Sequence, residues 1–211
     1  MTESRRVAIV TGAARGIGAA TVLALAEQGW SVLALDLAGD DPAVPYPLGT
    51  APELAEVVRR AGDPARVAGC HADVRDQEAL TAAVAEAERR WGGLDAAVAA
   101  AGVIAGGVPL WEMPGEQERA VLDIDLGGVL KLARAAIPAL LRRPEPRAGR
   151  FLAVASAAAT SGMPMIAAYC AAKAGVAGLI RALGAELGGT GVTANAVSPG
   201  STDTAMLAHS A

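Results

Sequence analysis

The chain has 211 residues, of which 53% are hydrophobic and 19% charged, a balance typical of a soluble globular domain. Its formal net charge of −4 argues against nucleic acid as a partner, because polyanions attract basic surfaces. Cys70 and Cys170 form no close pair, and His71 and His209 lack metal-ligand spacing, so we expect a reduced, cytoplasmic protein without a metal site. The first six residues contain no apolar stretch of the kind that a secretion signal needs.

The first predicted elements form a β–α–β unit built around glycines. A short apolar strand leads into Gly12, Gly16 and Gly18, which open an Ala/Leu-rich helix. These glycines would allow a tight turn, close approach of a pyrophosphate and close helix–sheet packing, while the helix N-terminus favours phosphate. A second strand ends in Asp36, which is placed to accept hydrogen bonds from a ribose 2′-hydroxyl and to repel a 2′-phosphate. NAD is therefore favoured over NADP, with Arg15 as a counterweight because a basic residue in the loop could meet a phosphate.

Further along the chain, strands and helices continue to alternate. The predicted strands are residues 6–11, 31–35, 66–73, 95–101, 149–156 and 192–198. The predicted helices are residues 16–28, 50–61, 76–91, 116–142 and 167–187, of which the second starts at a capping box and the third is capped by Asp76. Residues 37–49 are rich in Pro, Gly and Asp and are predicted to form a loop. The pattern predicts one α/β domain, residues 1–211, with a doubly wound parallel sheet of the Rossmann type.

Tyr169 and Lys173 lie four residues apart on the last predicted helix, which places them on one face about one turn apart. A neighbouring ammonium favours the phenolate and lowers the pKa of a phenol, ordinarily near ~10, so that the oxygen can exchange a proton near neutral pH. Ser156, at the end of a predicted strand, could hold a carbonyl or alcohol oxygen in line with it. The same spacing occurs by chance in many helices, so taken alone it leaves a purely structural role open.

Together these segments resemble the short-chain dehydrogenase/reductase family over essentially the whole chain. The matching stretches, in the family's order, are residues 11–18, Asp36, Asp73-Val74, Ala101-Gly102, Ser156, Tyr169 with Lys173, and residues 195–200. Residues 36–48, 99–107 and 150–160 are similar, more narrowly, to the mycofactocin-coupled actinobacterial subgroup. The resemblance implies an NAD-dependent oxidoreductase that transfers a hydride between a secondary alcohol or ketone and nicotinamide.

The resemblance also implies a role for each matching residue. Tyr169 would be the general acid/base, Lys173 would lower the pKa of that phenol and bind the nicotinamide ribose, and Ser156 would position the substrate oxygen. The implied cofactor-binding residues are Gly12, Arg15, Gly16, Ile17, Gly18, Asp36, Leu37, Asp73, Val74, Ala101, Gly102, Tyr169, Lys173, Pro199, Gly200, Thr202 and Thr204. A small hydrophobic substrate is expected from an apolar group that could equally belong to the core: Val103, Ile104, Trp111, Met163 and Met165.

The chain departs from the family's pattern at three places. Asp125 stands where the family commonly has an Asn that supports a helix bend and a proton relay, and its carboxylate could pair with Lys173 or titrate with it. We therefore include Asp125 among the candidate catalytic residues. Ala99-Ala100 replaces an Asn-Asn pair, which leaves backbone groups for cofactor contacts there. The chain also lacks the seventh strand usual in the family, so we expect a sheet of six strands.

Residues 37–49, hereafter the insertion segment, make the connection from Asp36 to Asp73 longer than in ordinary family members. Loop length costs little free energy, so the segment could be a tolerated surface loop, or it could be a flap near the cofactor that slows exchange. The subgroup resemblance implies the second, with NAD tightly bound and recycled by a mycofactocin-type redox carrier. We also expect a homo-oligomer with no membrane partner.

Two function classes remain open at this point. Ser156, Tyr169 and Lys173 favour a working oxidoreductase. Asp125 and the short C-terminal part favour a nicotinamide-nucleotide-binding sensor or scaffold with little catalysis. An epimerase or dehydratase on the same fold would normally need more chain for a substrate domain.

Overall fold

A computed structural model describes residues 6–206 of the chain, which are organised around a six-stranded parallel sheet. The strands are β1 (Val7–Thr11), β2 (Ser31–Asp36), β3 (Val67–His71), β4 (Ala96–Ala99), β5 (Arg150–Val154) and β6 (Thr193–Val197). Their spatial order is β3-β2-β1-β4-β5-β6, so the winding reverses between β3 and β4. A crevice for a ligand therefore opens beyond the carboxyl ends of β1 and β4. The predicted doubly wound α/β fold is confirmed.

Helices cover both faces of this sheet. They are α1 (Gly16–Glu27), α2 (Ala51–Arg60), α3 (Gln77–Trp91), α4 (Gly115–Leu122), α5 (Gly128–Leu141) and α6 (Ala167–Glu186). The predicted capping box begins α2: Glu53 N–H donates to Thr50 Oγ1, and Thr50 N–H donates to the Glu53 carboxylate. Asp76 begins α3 by accepting hydrogen bonds from the backbone N–H groups of Glu78 and Ala79. These side chains satisfy backbone donors that a helix start leaves unpaired.

The central strands of the sheet are buried between two apolar layers. One layer includes Ile9, Leu33 and Phe151, and the other includes Val10 and Val22. Every residue of β1 is buried. Because both faces of a central parallel strand are covered, such a strand reads as a continuous apolar run rather than as an alternating one.

The prediction of one uninterrupted helix over residues 116–142 is wrong. A π-turn, Asp123–Gly127, separates α4 from α5. In a π-turn the backbone hydrogen bonds span one residue more than in an α-helix, which changes the direction in which the following side chains point. Ile124 and Asp125 are both buried there, whereas Asp123 is exposed. The turn thus gives a buried position to a carboxylate.

The two ends of the predicted domain, residues 1–5 and 207–211, lie outside the described residues. Our expectation about a secretion signal and the question of His209 as a ligand therefore have no structural counterpart. Between residues 6 and 206, no helix is both long enough and apolar enough to cross a bilayer. In that same range, no three His, Cys, Asp or Glu side chains come together as a metal site would require.

Candidate active site

A cavity of about 440 Å³ opens beyond the carboxyl ends of the strands. Nearly all of the candidate site residues line it: Gly12, Arg15, Gly16, Ile17, Gly18, Asp36, Leu37, Asp73, Val74, Ala101, Gly102, Ser156, Tyr169, Lys173, Pro199, Gly200, Thr202 and Thr204. Asp125 is outside the lining and lies behind Lys173. The apolar candidates divide: Val103, Ile104 and Met163 line the cavity, whereas Trp111 and Met165 are 85% and 48% exposed outside it.

The glycine loop between β1 and α1 packs too closely at Gly12 and Gly18 to leave room for side chains there. Gly12 and Gly16 adopt left-handed backbone angles, with φ of 68° and 60°. A Cβ on Gly12 would lie 2.6 Å from the Cα of Ala101, and a Cβ on Gly18 would overlap the carbonyl oxygen of Gly12. Gly12 therefore brings the end of β1 against the chain that leaves β4, and Gly18 seats α1 directly on the turn. A backbone cradle at a helix start suits an anionic phosphate.

Asp36 is fixed at the end of β2 by the two loops beside it. Its Oδ2 accepts a hydrogen bond from Ala14 N–H, and its Oδ1 accepts one from Ala38 N–H, both at 2.9 Å. The carboxylate lines the cavity next to the glycine loop. A sugar hydroxyl there meets a strong acceptor, while a phosphate on the same sugar meets a like charge.

The chain that leaves β4 is held by the hydroxyl of a threonine in β1. Thr11 Oγ1 accepts hydrogen bonds from the backbone N–H groups of Ala100 and Ala101, both at 3.2 Å. This is the stretch in which the family's Asn-Asn pair is replaced by alanines. Its position is therefore set by a neighbouring strand rather than by its own side chains.

Lys173 on α6 is 4% exposed and points toward the end of β5, where its Nζ donates a hydrogen bond to the Val154 carbonyl oxygen at 3.1 Å. The same nitrogen lies 5.5 Å from the centroid of the Tyr169 ring. Ser156 follows β5, and its Oγ accepts a hydrogen bond from Ala158 N–H at 3.1 Å. That bond uses an oxygen lone pair and leaves the hydroxyl hydrogen to be donated elsewhere. The structure thus brings these three side chains to one cavity.

Asp125 on the π-turn is completely buried beside Lys173. Its Oδ1 accepts a hydrogen bond from Val103 N–H at 2.8 Å, and its Oδ2 lies 3.1 Å from Lys173 Nζ. Within residues 6–206, Oδ2 has no hydrogen-bond partner in a good direction, so the carboxylate and the ammonium meet chiefly as opposite charges. Burial raises the pKa of the Asp125 carboxyl, although Lys173 and the Val103 N–H group act in the opposite direction.

The insertion segment is packed into the protein at Tyr46, which is 6% exposed and lines the cavity. Ile104 N–H donates a hydrogen bond to Tyr46 Oη at 2.9 Å. Burial raises the pKa of Tyr46 to about 12. One residue further on, the Pro47 carbonyl oxygen accepts a hydrogen bond from Arg15 Nη2 at 2.7 Å. The segment is thus joined both to the chain beyond β4 and to the glycine loop.

A third attachment of the insertion segment is an ion pair at the end of β3. Arg75 contacts buried Asp41 at 2.6 Å and Asp73 at 2.6 Å. Burial alone would raise the pKa of Asp73, but the hydrogen bonds from Arg75 outweigh it and hold that pKa below its usual value. One guanidinium therefore ties the segment to Asp73, one of the candidate cofactor-binding residues.

The sequence profile of the short chain dehydrogenase family matches residues 6–211. The chain belongs to the short-chain dehydrogenase family. A (−)-trans-carveol dehydrogenase from Rhodococcus erythropolis is 39% identical over 203 residues, which cover 96% of this chain and 73% of that protein. Carveol dehydrogenase from Mycobacterium avium, solved in complex with NAD, matches with a TM-score of 0.91 at 35% identity over 97% of this chain and 74% of its own. A short chain dehydrogenase from Mycobacterium paratuberculosis, solved bound to NAD, matches with a TM-score of 0.88 at 36% identity, over 95% of this chain and 74% of that one.

The predicted family is thereby confirmed, and this short-chain dehydrogenase is an oxidoreductase. The narrower mycofactocin-coupled subgroup stays a prediction. So do the individual roles of the residues that line the cavity.

Sequence reasoning about this dehydrogenase missed several lining residues, among them Tyr46, Leu48, Gly49 and Arg75. An aromatic side chain in a segment otherwise rich in Pro, Gly and Asp was a usable signal for Tyr46, because a fully solvated loop has little use for one. Arg75 gave no comparable signal, since its partner Asp41 lies far away in the sequence.

Proposed function

We propose that this chain is an NAD-dependent dehydrogenase of small hydrophobic secondary alcohols, or a reductase of the matching ketones, with Tyr169 as the general acid/base. The observation that carries the proposal is that one cavity joins the glycine loop and Asp36 to Ser156, Tyr169 and Lys173. A dinucleotide site and a proton-transfer site in the same cavity are what a hydride-transfer enzyme needs.

The cavity fits a dinucleotide without a 2′-phosphate. The contacts around Gly12 and Gly18 leave backbone, rather than side chains, facing a pyrophosphate, and Asp36 would accept the adenine ribose hydroxyls. Asp73 would flank the adenine, and Lys173 would bind the nicotinamide ribose. When bound, the nicotinamide supplies the carbon that takes or gives the hydride.

The protein's own residues then handle the proton and the substrate oxygen. Tyr169 Oη takes the hydroxyl proton during alcohol oxidation and returns it during ketone reduction. Ser156 donates its hydroxyl hydrogen to the same oxygen, since the bond from Ala158 N–H uses only a lone pair and leaves that hydrogen free. Lys173 places a buried positive charge beside the phenol, where solvent screens it weakly.

A small hydrophobic substrate is supported by apolar side chains in the cavity that also holds Ser156 and Tyr169. Val103, Ile104 and Met163 line that cavity. Such a surface favours a compact hydrocarbon body with one polar oxygen. Because two of the similar proteins are carveol dehydrogenases, carveol is the first substrate to test.

We also propose that the insertion segment keeps NAD bound between turnovers, so that a mycofactocin-type redox carrier recycles it in place. The support is the attachment of the segment to three separate parts of the cavity wall, through Tyr46, Pro47 and Asp41. A segment held at three points opens less often than a solvated loop does. NAD that co-purifies with the protein and resists dialysis would agree with this proposal, whereas rapid multiple turnover with free NAD would contradict it.

The decisive experiment compares Tyr169→Phe with the unchanged protein in carveol oxidation, followed by the absorbance of NADH. We expect kcat to fall by ~10²-fold or more, because the general base is removed. Cys170→Ala is the matched control on the same helix turn; it lies outside the cavity lining and should retain activity. If Tyr169→Phe stays active, the acid/base role is wrong. If NAD binds but neither carveol nor a broad panel of secondary alcohols is oxidised, the protein is a nucleotide-binding sensor or scaffold instead.

A further inference from the structure

Asp125 and Lys173 form the most deeply buried ion pair among residues 6–206, with side chains 0% and 4% exposed. The backbone of Gly102 lies against both groups: a Cβ there would be 3.2 Å from Asp125 Oδ2 and 3.3 Å from Lys173 Nζ. The other carboxylate oxygen is held by Val103 N–H. Since water is excluded around the carboxylate, its charge is weakly screened and acts on its neighbours strongly.

The ammonium in this pair is the same one that faces Tyr169, 5.5 Å from the ring centroid. An ammonium alone would favour the ionised phenol. A carboxylate 3.1 Å from that ammonium offsets its charge, whereas the neutral amide of an Asn at the same position would not. The identity of residue 125 therefore sets how much positive charge the phenol experiences.

We propose that Asp125 is a positioning residue that offsets the charge of Lys173 at Tyr169, so that the phenol experiences less positive charge than it would beside an uncharged residue 125. The proposal rests on the role of Tyr169 in the proposed function. A smaller positive charge beside the phenol favours the protonated form over the phenolate, which suits the proton donation that ketone reduction requires.

Two further ionisable groups lie near this set, one on the insertion segment and one on α6, and a third acts on the first of them. Tyr46 of the insertion segment interacts electrostatically with both Asp125 and Tyr169, and Arg15 of the glycine loop acts on Tyr46. Cys170 adjoins Tyr169 on α6, with its Sγ 3.7 Å from the Met163 carbonyl oxygen. All three are the same in an Asp125→Asn protein, so a difference between the two proteins reports the carboxylate.

The test follows tyrosinate absorbance as the pH is raised. The chain has two tyrosines, and the Tyr46→Phe background leaves Tyr169 as the sole phenol. We expect Asp125→Asn in that background to move the ionisation midpoint to lower pH by about one unit, because an offsetting charge has been removed. A midpoint that stays in place or moves to higher pH would overturn the proposal. Tyr169→Phe in the unmodified chain identifies which part of the wild-type signal belongs to Tyr46.

A second measurement needs no substitution in the buried pair, in case Asp125→Asn does not fold. The ¹³C resonance of the Asp125 carboxyl carbon is followed in the unchanged protein across the pH range in which Tyr169 ionises. We expect the resonance of an ionised carboxylate throughout that range. A carboxyl that remains protonated there carries no charge to offset Lys173 and would overturn the proposal.

Neither measurement requires turnover, so the proposal and the proposed function can fail separately. A shifted midpoint together with an active Tyr169→Phe protein would reject the acid/base role but not the charge effect. With carveol and NAD, we expect the pH profile of oxidation by Asp125→Asn to move to lower pH by the same amount as the midpoint. At neutral pH its turnover in carveol oxidation should then be raised.

Discussion

Tyr46 is expected to make the protein lose stability at alkaline pH. The ordinary pKa of a tyrosine is 10.0, whereas burial raises the pKa of Tyr46 in the folded protein to about 12. Between these values the unfolded chain has lost a proton that the folded protein still holds. The contribution of Tyr46 to the free energy of unfolding is therefore fully present below pH 10 and is lost as the pH rises toward 12. At ~1.4 kcal/mol for each pH unit, the titration of Tyr46 lowers the free energy of unfolding by about 3 kcal/mol across this window.

Tyr46→Phe separates this titration from the packing of the ring. The substitution keeps the aromatic ring but leaves Ile104 N–H without the acceptor that it has at 2.9 Å. A buried donor without its acceptor costs ~1–3 kcal/mol, so at pH 8 the variant should be less stable by about that amount. The variant lacks the alkaline titration, and the difference should therefore shrink above pH 10 and close or reverse near pH 12.

The measurement is urea unfolding, followed by tryptophan fluorescence, at steps from pH 8 to pH 12. Burial also raises the pKa of Cys70, but that thiol titrates in both proteins and cancels in the comparison. Tyr169→Phe makes the same chemical change at the other tyrosine and should retain the loss of stability that Tyr46 causes. Parallel stability curves for the wild type and Tyr46→Phe would refute the reasoning.

Three further predictions concern the packing of the glycine loop, the attachment of the insertion segment and the titration of Asp73 in acid. Gly18→Ala drives a methyl group into the preceding turn, so we expect a lower melting temperature, a free energy of unfolding reduced by more than ~2 kcal/mol and weaker NAD binding. The control is Gly39→Ala, which has nothing within 4 Å of the added carbon and should change the free energy of unfolding by no more than ~0.5 kcal/mol. Equal melting temperatures for the two variants would contradict the close packing. Arg75→Met leaves buried Asp41 without its cation, so we expect the free energy of unfolding to fall by ~1–2 kcal/mol and the insertion segment to be cleaved faster by a protease. An unchanged rate of cleavage would contradict this prediction. Because Arg75 outweighs burial and lowers the pKa of Asp73 below 3.8, the wild type should lose stability as the pH falls below about 4, and Arg75→Met should flatten that fall in acid unfolding.

The parts of the fold that local chemistry decides could be predicted from the sequence. The apolar run of β1, the glycines after it and the capping residues Thr50 and Asp76 each act within a few residues of their own position. The order of these units along the chain then determines the parallel sheet, because β–α–β connections leave few alternatives. Most candidate site residues follow strands, and the carboxyl ends of parallel strands meet at one edge.

What could not be predicted depends on partners far away in the sequence. Tyr46 and Ile104 are 58 residues apart, and nothing near either residue indicates their hydrogen bond. The π-turn is likewise invisible in the apolar periodicity of residues 116–142, because it is the tertiary pairing of Asp125 with Lys173 that makes the buried position tolerable. Sequence reasoning identified Asp125 as an exception to the family's pattern, but not its complete burial.

The three attachments of the insertion segment limit how it could be transplanted. A designer who grafted residues 37–49 onto a different dehydrogenase would carry over the tyrosine but not the amide of Ile104 that meets it, nor the guanidinium of Arg75. The recipient protein would then have to bury an aspartate without the cation of Arg75 and a phenol without the amide donor of Ile104. The segment and its receiving surface behave as one inherited unit, and a successful chimaera would need to exchange both halves together.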